Sequence, residues 1–297
     1  MTQIQDHPLR YQLTNELHAR PFPTISSPCT VAYLAVKQPQ EAEHRDRGLD
    51  LQHLIALLDR HGAAHPQPGA THHTAQIGRH TLKWEQHSEF VSYTAYAHGV
   101  SARAFDPTDF EVFPAGWLAA APGQRITSAM IRVVQPEEDG SLRALLQDWF
   151  VPESLAVSRV LDNSATVAGD FRIDPAGHIR FAILPAAGAG SQRIGRIVKR
   201  LCEVETYRAM AMLGLARARD LTPSISALDT RLSDMMLEMT SGHTPAEETL
   251  SQLLVVSAEL EAMAARSAFR FSATGAYDAL VNQRIGLLRE ARYKGFQ

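Results

Sequence analysis

Two short segments of the chain concentrate the residue types that bind ligands and transfer protons. The first is "NELHARPFP" (15–23), where Asn15, Glu16, His18 and Arg20 supply an amide, a carboxylate, an imidazole and a guanidinium. Glu16, His18 and Arg20 are two residues apart, so in an extended segment their side chains lie on one side. We therefore predict an extended segment that forms a ligand-binding site.

A structural role is the alternative for this first segment. Arg20 would then pair with Glu16 or with a carboxylate at the sheet edge, and this pairing would hold the N-terminal segment down. Planar pairing of arginine with a carboxylate is the strongest bond that these side chains can make. In either case we expect the segment to pack near "LKWEQHSEF" (82–90), with Arg20 contacting a carboxylate.

The second segment is "LKWEQHSEF" itself, in which charged and polar residues alternate with mainly apolar ones. Lys83, Glu85, His87 and Glu89 are two apart, so one extended strand would place them on a single face. Glu85, His87 and Glu89 could then hold a metal or act as acid and base, and the implied cofactor is a divalent metal ion. The alternative is an exposed strand face whose polar side chains are solvated.

Composition excludes several functional classes. The 297 residues are 45% hydrophobic and 21% charged, which is typical of a globular protein, and the net charge of −3 does not favour a nucleic-acid partner. No nucleophile elbow, phosphate-binding loop, zinc-protease motif or calcium loop is present. No apolar run has the length of a signal peptide core or a transmembrane helix, so we expect the chain as given to be soluble.

Residues 1–190 are predicted to form a mixed-sheet α/β domain. Apolar and β-branched runs such as "TVAYLAVKQ" (30–38) and "RITSAMIRVVQ" (125–135) indicate strands, and they alternate with helical patterns. "AAHPQPGATHH" (63–73) is interpreted as a loop. The turn sequence "DPAG" (174–177) predicts a hairpin between the last two strands, so the sheet is not purely parallel.

Residues 191–297 are predicted to be an all-α region of long amphipathic, coiled-coil-like helices. Thr222 and Pro223 resemble a helix start, which would divide the region into at least three helices. Two apolar seams follow the heptad spacing of a coiled coil, and the short connection between them predicts an antiparallel pair. The seam residues are Leu221, Ile225, Leu228, Leu232, Met235 and Met239, then Leu250, Leu253, Ser257, Leu260 and Ala264. Later apolar positions, from Tyr277 to Leu288, should cover the α/β domain or meet a second subunit.

A resemblance covers nearly the whole chain, from residue 7 to about residue 292. The segments "HPLRYQLTNELHARPFP", "LKWEQHSEF", "RIVKRLCEVETYRAMAMLGLARARDL" and "FRFSATGAYDALV" together resemble a bacterial family of unknown function, domain of unknown function 3422. The resemblance implies a longer protein with a C-terminal membrane anchor that this chain lacks, placed at the cytoplasmic face of the inner membrane. It implies no activity and no catalytic residues. Its general plan is similar to that of CorA-type magnesium channels, which is an analogy of architecture only.

Three functional hypotheses follow. The first is a soluble cytoplasmic domain of a membrane-anchored protein that senses a ligand or assembles into a homo-oligomer through its C-terminal helices, with a link to transport by analogy. The second is a metal-dependent hydrolase that uses His18, Glu85 and His87. The third is a structural scaffold that binds no ligand.

Overall fold

The computed structural model describes residues 4–11, 22–39, 45–135, 142–241 and 245–292. Its strands are β1 (Cys29–Lys37), β2 (His72–Ile77), β3 (His80–Gln86), β4 (Val91–His98), β5 (Gln124–Val133), β6 (Ala156–Val160), β7 (Ala165–Ile173), β8 (Ile179–Pro185) and β9 (Ala291–Arg292). In the described part of the chain these form one sheet in the order β2-β3-β4-β1-β5-β8-β7-β6-β9. Only β5 and β8 pair in parallel there, so the predicted mixed sheet is confirmed.

The hairpin predicted at "DPAG" is also confirmed, because β7 and β8 pair antiparallel across it. Gly177 occupies the left-handed region at a φ of 91°, which glycine adopts without steric cost. Two of the described strands were missed, and one of them, β9, lies in the region predicted to be all-α. β2 begins at His72, inside the segment that was interpreted as a loop, and it pairs with β3. Its sequence "HHTAQI" carries few apolar residues, so its pairing depends on β3 more than on its own composition.

One face of the sheet carries the large apolar side chains and forms the main core. Leu34, Trp84 and Tyr93 project from this face and are fully buried. Three helices contribute to the same core: α1 (Arg47–Arg60), α2 (Ala115–Ala119) and α3 (Leu142–Trp149). A buried hydrogen bond reinforces it, since the indole nitrogen of Trp117 donates to the backbone oxygen of His53 at 2.8 Å.

Two long helices make up the rest of the described chain, as predicted for an all-α region. They are α4 (Ser191–Ser241) and α5 (Ala246–Leu288). The predicted helix start at Thr222–Pro223 is wrong, because α4 continues through Pro223. Proline deprives the carbonyl of Arg219 of its donor, but this turn is exposed and water can hydrate that carbonyl. Thr222 is not a cap, and its hydroxyl donates to the Ala218 carbonyl within the helix.

The predicted antiparallel pairing of the two helices is confirmed. Leu228 and Met235 of α4 pack with Val256 of α5, and Arg231 pairs with Glu259 alongside them. The predicted seam on the second helix is shifted by one residue, because Thr249 and Val256 are buried while Leu250, Leu253 and Leu260 are exposed. The run "LLVVS" (253–257) presents apolar residues on neighbouring faces, so its heptad register was ambiguous.

The chain separates into two compact units. The first comprises Met1–Thr206 and Arg284–Gln297, and the second comprises Tyr207–Gln283. Both long helices therefore contribute residues to both units. In the first unit, the backbone nitrogen of Leu161 donates to the Leu288 carbonyl at 2.7 Å, and β9 pairs with β6. The last turn of α5 thus packs on its own α/β domain, which is one of the two arrangements expected for it.

Candidate functional site

The first predicted site cannot be located in the structure. Asn15, Glu16, His18 and Arg20 lie outside the described residues, so their ligand-binding role and the contact between Arg20 and a carboxylate stay predictions. The described chain resumes at Phe22, directly after this segment.

The second predicted segment is not one extended strand. β3 ends at Gln86, and the backbone nitrogen of His87 donates to the Phe90 carbonyl at 2.8 Å to form a tight turn into β4. Glu85 therefore projects from a strand, whereas His87 and Glu89 lie in the turn. The predicted single face that these residues share with Lys83 is wrong beyond Glu85, because the chain reverses before the alternation continues.

The interpretation of this segment as a solvated face is also wrong. Lys83, Glu85 and Glu89 are 5%, 7% and 5% exposed, so the segment buries three ionisable side chains. Buried charges are retained in proteins only where partners or hydrogen bonds compensate for their lost hydration.

Strand register shows where Lys83 and Glu85 project. Glu85 lies opposite Ser92 on β4, Ser92 lies opposite Ala35 on β1, and Ala35 lies opposite Thr127 on β5. The neighbouring row, two residues away along each strand, consists of Lys83, Thr94, Tyr33 and Ala129. Because paired residues share a face, these rows form a polar floor of mostly small side chains on the side of the sheet opposite the main core.

Helix α4 covers this polar floor. The Tyr33 hydroxyl lies 2.6 Å from the Thr206 hydroxyl, and Thr127 donates to the Glu205 carboxylate at 3.3 Å. About two turns closer to the start of the helix, the Lys199 side chain donates a hydrogen bond to the Glu85 carboxylate. Polar side chains in the first turns of α4 therefore contact polar side chains of the sheet. Ile197 and Val198 of the same turns are fully buried.

The centre of the site is the lysine cluster, which we define as Lys83, Glu85 and Lys199. Lys83 Nζ donates to Glu85 Oε1 at 3.1 Å, and Lys199 Nζ donates to the same oxygen at 3.2 Å. The three side chains are 6%, 9% and 11% exposed. Two ammonium groups therefore converge on a single carboxylate oxygen in a nearly water-free environment, where charge interactions are strong.

Burial perturbs the protonation of this cluster. It lowers the pKa of Lys83 from its ordinary value of 10.5 to about 8, and the attraction of Glu85 only partly offsets burial and the repulsion of Lys199. For Glu85, burial alone would raise the pKa, but the charges of Lys199 and Lys83 outweigh it and hold the pKa below its ordinary value. The positive form of His87 acts in the same direction, and its ring lies 3.3 Å from the Ser92 hydroxyl.

Beside the cluster, an ion pair joins α4 to α5, between residues that both belong to the first unit. Glu203 lies one turn beyond Lys199, and Arg284 Nε contacts its carboxylate at 2.6 Å. A second contact fixes this approach, since Arg200 donates to the Leu287 carbonyl at 2.6 Å. That carbonyl is among the last of α5, where a helix has unsatisfied acceptors and a partial negative charge.

Phe22 forms the solvent side of the cluster. Its ring lies 5.4 Å from Lys199 Nζ and 5.3 Å from the Arg196 guanidinium, and it is 43% exposed. The chain can cross the helix here only because residue 195 is glycine, since a Cβ at Gly195 would lie 1.6 Å from the Pro23 carbonyl oxygen. Lys199 thus joins the buried Glu85 to a ring at the protein surface.

No metal centre emerges from the residues that the structure describes. Within them, no three side chains of His, Cys, Asp or Glu come together in a way that could hold a metal ion, and this includes Glu85, His87 and Glu89. The Glu85 carboxylate is instead engaged by two ammonium groups. A metal site that also uses His18 lies partly outside the described residues and stays a prediction.

Comparison with known proteins identifies the family but no activity. The family described as "Protein of unknown function (DUF3422)" matches residues 5–297. The chain belongs to this family. No curated protein and no solved structure matches the chain. In the described residues of this DUF3422 protein, no helix is long and apolar enough to cross a membrane.

Sequence reasoning identified Glu85 and the alternation around it but missed Lys199, which contacts Glu85, and the ion pair of Glu203 and Arg284 beside Lys199. One signal was available for the two lysines. The chain contains 25 arginines but only four lysines, at positions 37, 83, 199 and 294. Two of the four meet at one oxygen of Glu85. Lysine is rare in the rest of the chain, so its presence at positions 83 and 199 was the signal for the site.

Proposed function

We propose that this DUF3422 protein is a ligand-binding module, and that the ligand is a small anion, a carboxylate or a phosphate, recognised at the lysine cluster. One observation carries the proposal: two buried ammonium groups converge on a single carboxylate oxygen. A carboxylate or phosphate oxygen of a ligand is the same kind of acceptor as the Glu85 oxygen that both ammonium groups contact. The ring of Phe22 beside Lys199 is exposed, so the Lys199 side of the cluster lies close to the protein surface.

Electrostatics favours an anion over a cation. The lowered pKa of Lys83 means that its positive charge is poorly stabilised by its surroundings. An anion that binds beside this amine would stabilise that charge. A divalent cation would face two ammonium groups at close range and would be repelled.

A thermal-shift screen at constant ionic strength tests the proposal. Acetate, succinate, pyruvate, phosphate and, for contrast, magnesium and zinc chlorides would be added while tryptophan fluorescence reports unfolding. A ligand at 100 times its dissociation constant stabilises the folded state by about 2.7 kcal/mol. We expect at least one anion to raise the melting temperature of the wild type and of the control Lys37→Met, but not of Lys199→Met.

The alternatives make different predictions in the same screen. A shift with divalent cations alone would contradict the anion proposal and favour the metal-dependent hydrolase. The absence of any shift would favour a scaffold without a ligand. Equal shifts in the wild type and Lys199→Met would show a general salt effect, because phosphate strengthens apolar burial without binding a site.

The proposal extends to assembly and location. The second compact unit exposes large apolar side chains, among them Met236, Leu237 and Leu254, and we propose that they meet a second copy of the chain. Membrane anchoring, a bacterial origin and a place at the cytoplasmic face of the inner membrane rest on the family resemblance alone. A link to transport rests on the CorA-like plan of an α/β domain followed by long helices.

A further inference from the structure

The use of lysine at the cluster has no explanation in ion pairing alone. Where the chain buries another ion pair in its described part, between Arg45 and Asp50, it uses arginine. Arginine pairs with carboxylates through two parallel hydrogen bonds and stays charged at every accessible pH. Lysine is the poorer partner for a permanent ion pair, but its amine can lose a proton and become a nucleophile.

We propose that Lys83 is a nucleophile that forms an imine with a small 2-oxo acid, whose carboxylate is held by Lys199. This inference rests on the proposed function and names the class of its ligand. The geometry supports it in three respects. Lys83 Nζ lies 3.1 Å from the Glu85 carboxylate, a second ammonium group lies on the same oxygen, and all three groups are buried.

The protonation state of Lys83 agrees with this role. Burial and the charge of Lys199 lower its pKa to about 8, against the opposing effect of Glu85, so about a tenth of the amine is neutral at pH 7 and this fraction rises with pH. Desolvation and an adjacent cation are the two means by which proteins activate a lysine amine. Among the described residues, other charged groups near the cluster are Glu203 and Arg284, which pair with each other, Arg196 beside the Phe22 ring, Glu205 at Thr127, and the ring of His87.

The reaction is balanced without an oxidant or a reductant. The neutral Lys83 nitrogen attacks the carbonyl carbon of the oxo acid, a C–N bond forms, and the carbonyl π electrons move to oxygen, which takes a proton. The resulting carbinolamine loses this oxygen as water and leaves a protonated C=N bond. The water contains the carbonyl oxygen, one hydrogen from Nζ and one proton that solvent supplies. The carboxylate of the ligand is unchanged and pairs with Lys199.

Reductive trapping tests the proposal directly. The folded protein would be incubated with pyruvate and cyanoborohydride, which reduces a protonated imine to a stable secondary amine. Peptide mapping by mass spectrometry then assigns the added carboxyethyl group, and the small number of lysines makes the assignment unambiguous. We expect the group on Lys83, with Lys37 unmodified as an internal control.

Two comparisons isolate the chemistry. Lactate has the same carboxylate but no carbonyl group, so it should leave Lys83 unmodified in the wild type. Lys83→Arg keeps the positive charge and should abolish trapping, while Lys37→Arg should leave it unchanged. If Lys83→Arg fails to fold, the contrast between pyruvate and lactate in the wild type still decides the question.

The outcomes separate this inference from the proposed function. Lys199-dependent thermal shifts with both pyruvate and lactate, but no adduct on Lys83, would refute the imine and leave anion binding standing. Equal labelling of Lys37 and Lys83 would also refute it, since it would show only the general reactivity of amines. An adduct confined to Lys83 without any thermal shift by lactate would support the imine and refute simple anion binding.

Discussion

Lys83→Met should stabilise the first compact unit at pH 7. The substitution removes the amine but keeps a long unbranched side chain, and Glu85 retains its contact with Lys199. The folded protein holds the Lys83 proton with a pKa of about 8 instead of 10.5, and this difference corresponds to about 3 kcal/mol against the charged form. Replacing a complete buried ion pair by apolar groups of similar volume is often stabilising by about 1–4 kcal/mol, and Glu85 is not left unpaired by Lys83→Met because Lys199 remains. We therefore expect a gain of about 3 kcal/mol.

The gain should depend on pH in a defined direction. Folding lowers the pKa of Lys83, so unfolding takes up a proton between pH 8 and 10.5, and the stability of the wild type from this group rises with pH across that window. The advantage of Lys83→Met should be complete below pH 8 and absent near pH 10.5. Burial raises the pKa of Cys29 to about 12, which favours unfolding at high pH, but this contribution is the same in both proteins and cancels in the difference.

Urea unfolding followed by tryptophan fluorescence measures this difference. All three tryptophans, Trp84, Trp117 and Trp149, belong to the first compact unit, so the signal reports the unit that contains the cluster. Lys37→Met is the matched control for the loss of one lysine. A variant less stable than the wild type at pH 7, or an advantage that persists unchanged to pH 10.5, would refute the reasoning.

Two further predictions concern the long helices. Gly195→Ala should destabilise the first unit by about 1–3 kcal/mol or more, because the new Cβ would clash with the Pro23 carbonyl. Gly116→Ala is the control, as its Cβ would meet no heavy atom within 4 Å, and equal urea midpoints for the two variants would contradict the close approach of the Pro23 carbonyl to α4. Light scattering should give the mass of a dimer at micromolar concentration. The double substitution Leu237→Glu with Leu254→Glu should give the mass of a monomer. Ser251→Glu, on the same pair of helices, is the control and should leave the dimer intact. A monomeric wild type would contradict the assembly proposal.

Local patterns in the sequence predicted the elements better than their limits. The alternation around Trp84 indicated a strand, but it continued past Gln86 without a signal for the turn at His87. Thr222 and Pro223 satisfied the pattern of a helix start, yet the exposed turn tolerates proline because water can hydrate the freed carbonyl. In both cases the limit of the element depends on tertiary contacts or on solvent exposure, and a local sequence pattern contains neither.

The residues of the candidate site were harder to predict from local sequence than the limits of the elements. Glu85 was identified from its neighbours in sequence, but Lys199 lies 114 positions further along the chain and reaches Glu85 only through the packing of α4 on the sheet. The pattern of α4 indicated its apolar face and gave no reason to single out one cation on it. Composition gave the better signal, because lysine is scarce throughout the chain.

The expected stability of Lys83→Met and the scarcity of lysine lead to one conclusion about the site. A buried amine whose charge costs about 3 kcal/mol lowers the stability of a fold, and an apolar side chain would relieve that cost. Positions that reduce stability persist where activity requires them, since function and stability compete at active and binding sites. Arginine would have served a purely structural pairing better at both positions. Two lysine amines on one carboxylate oxygen, one of them carrying a charge that burial destabilises, therefore support the proposal of a ligand-binding site over that of a scaffold.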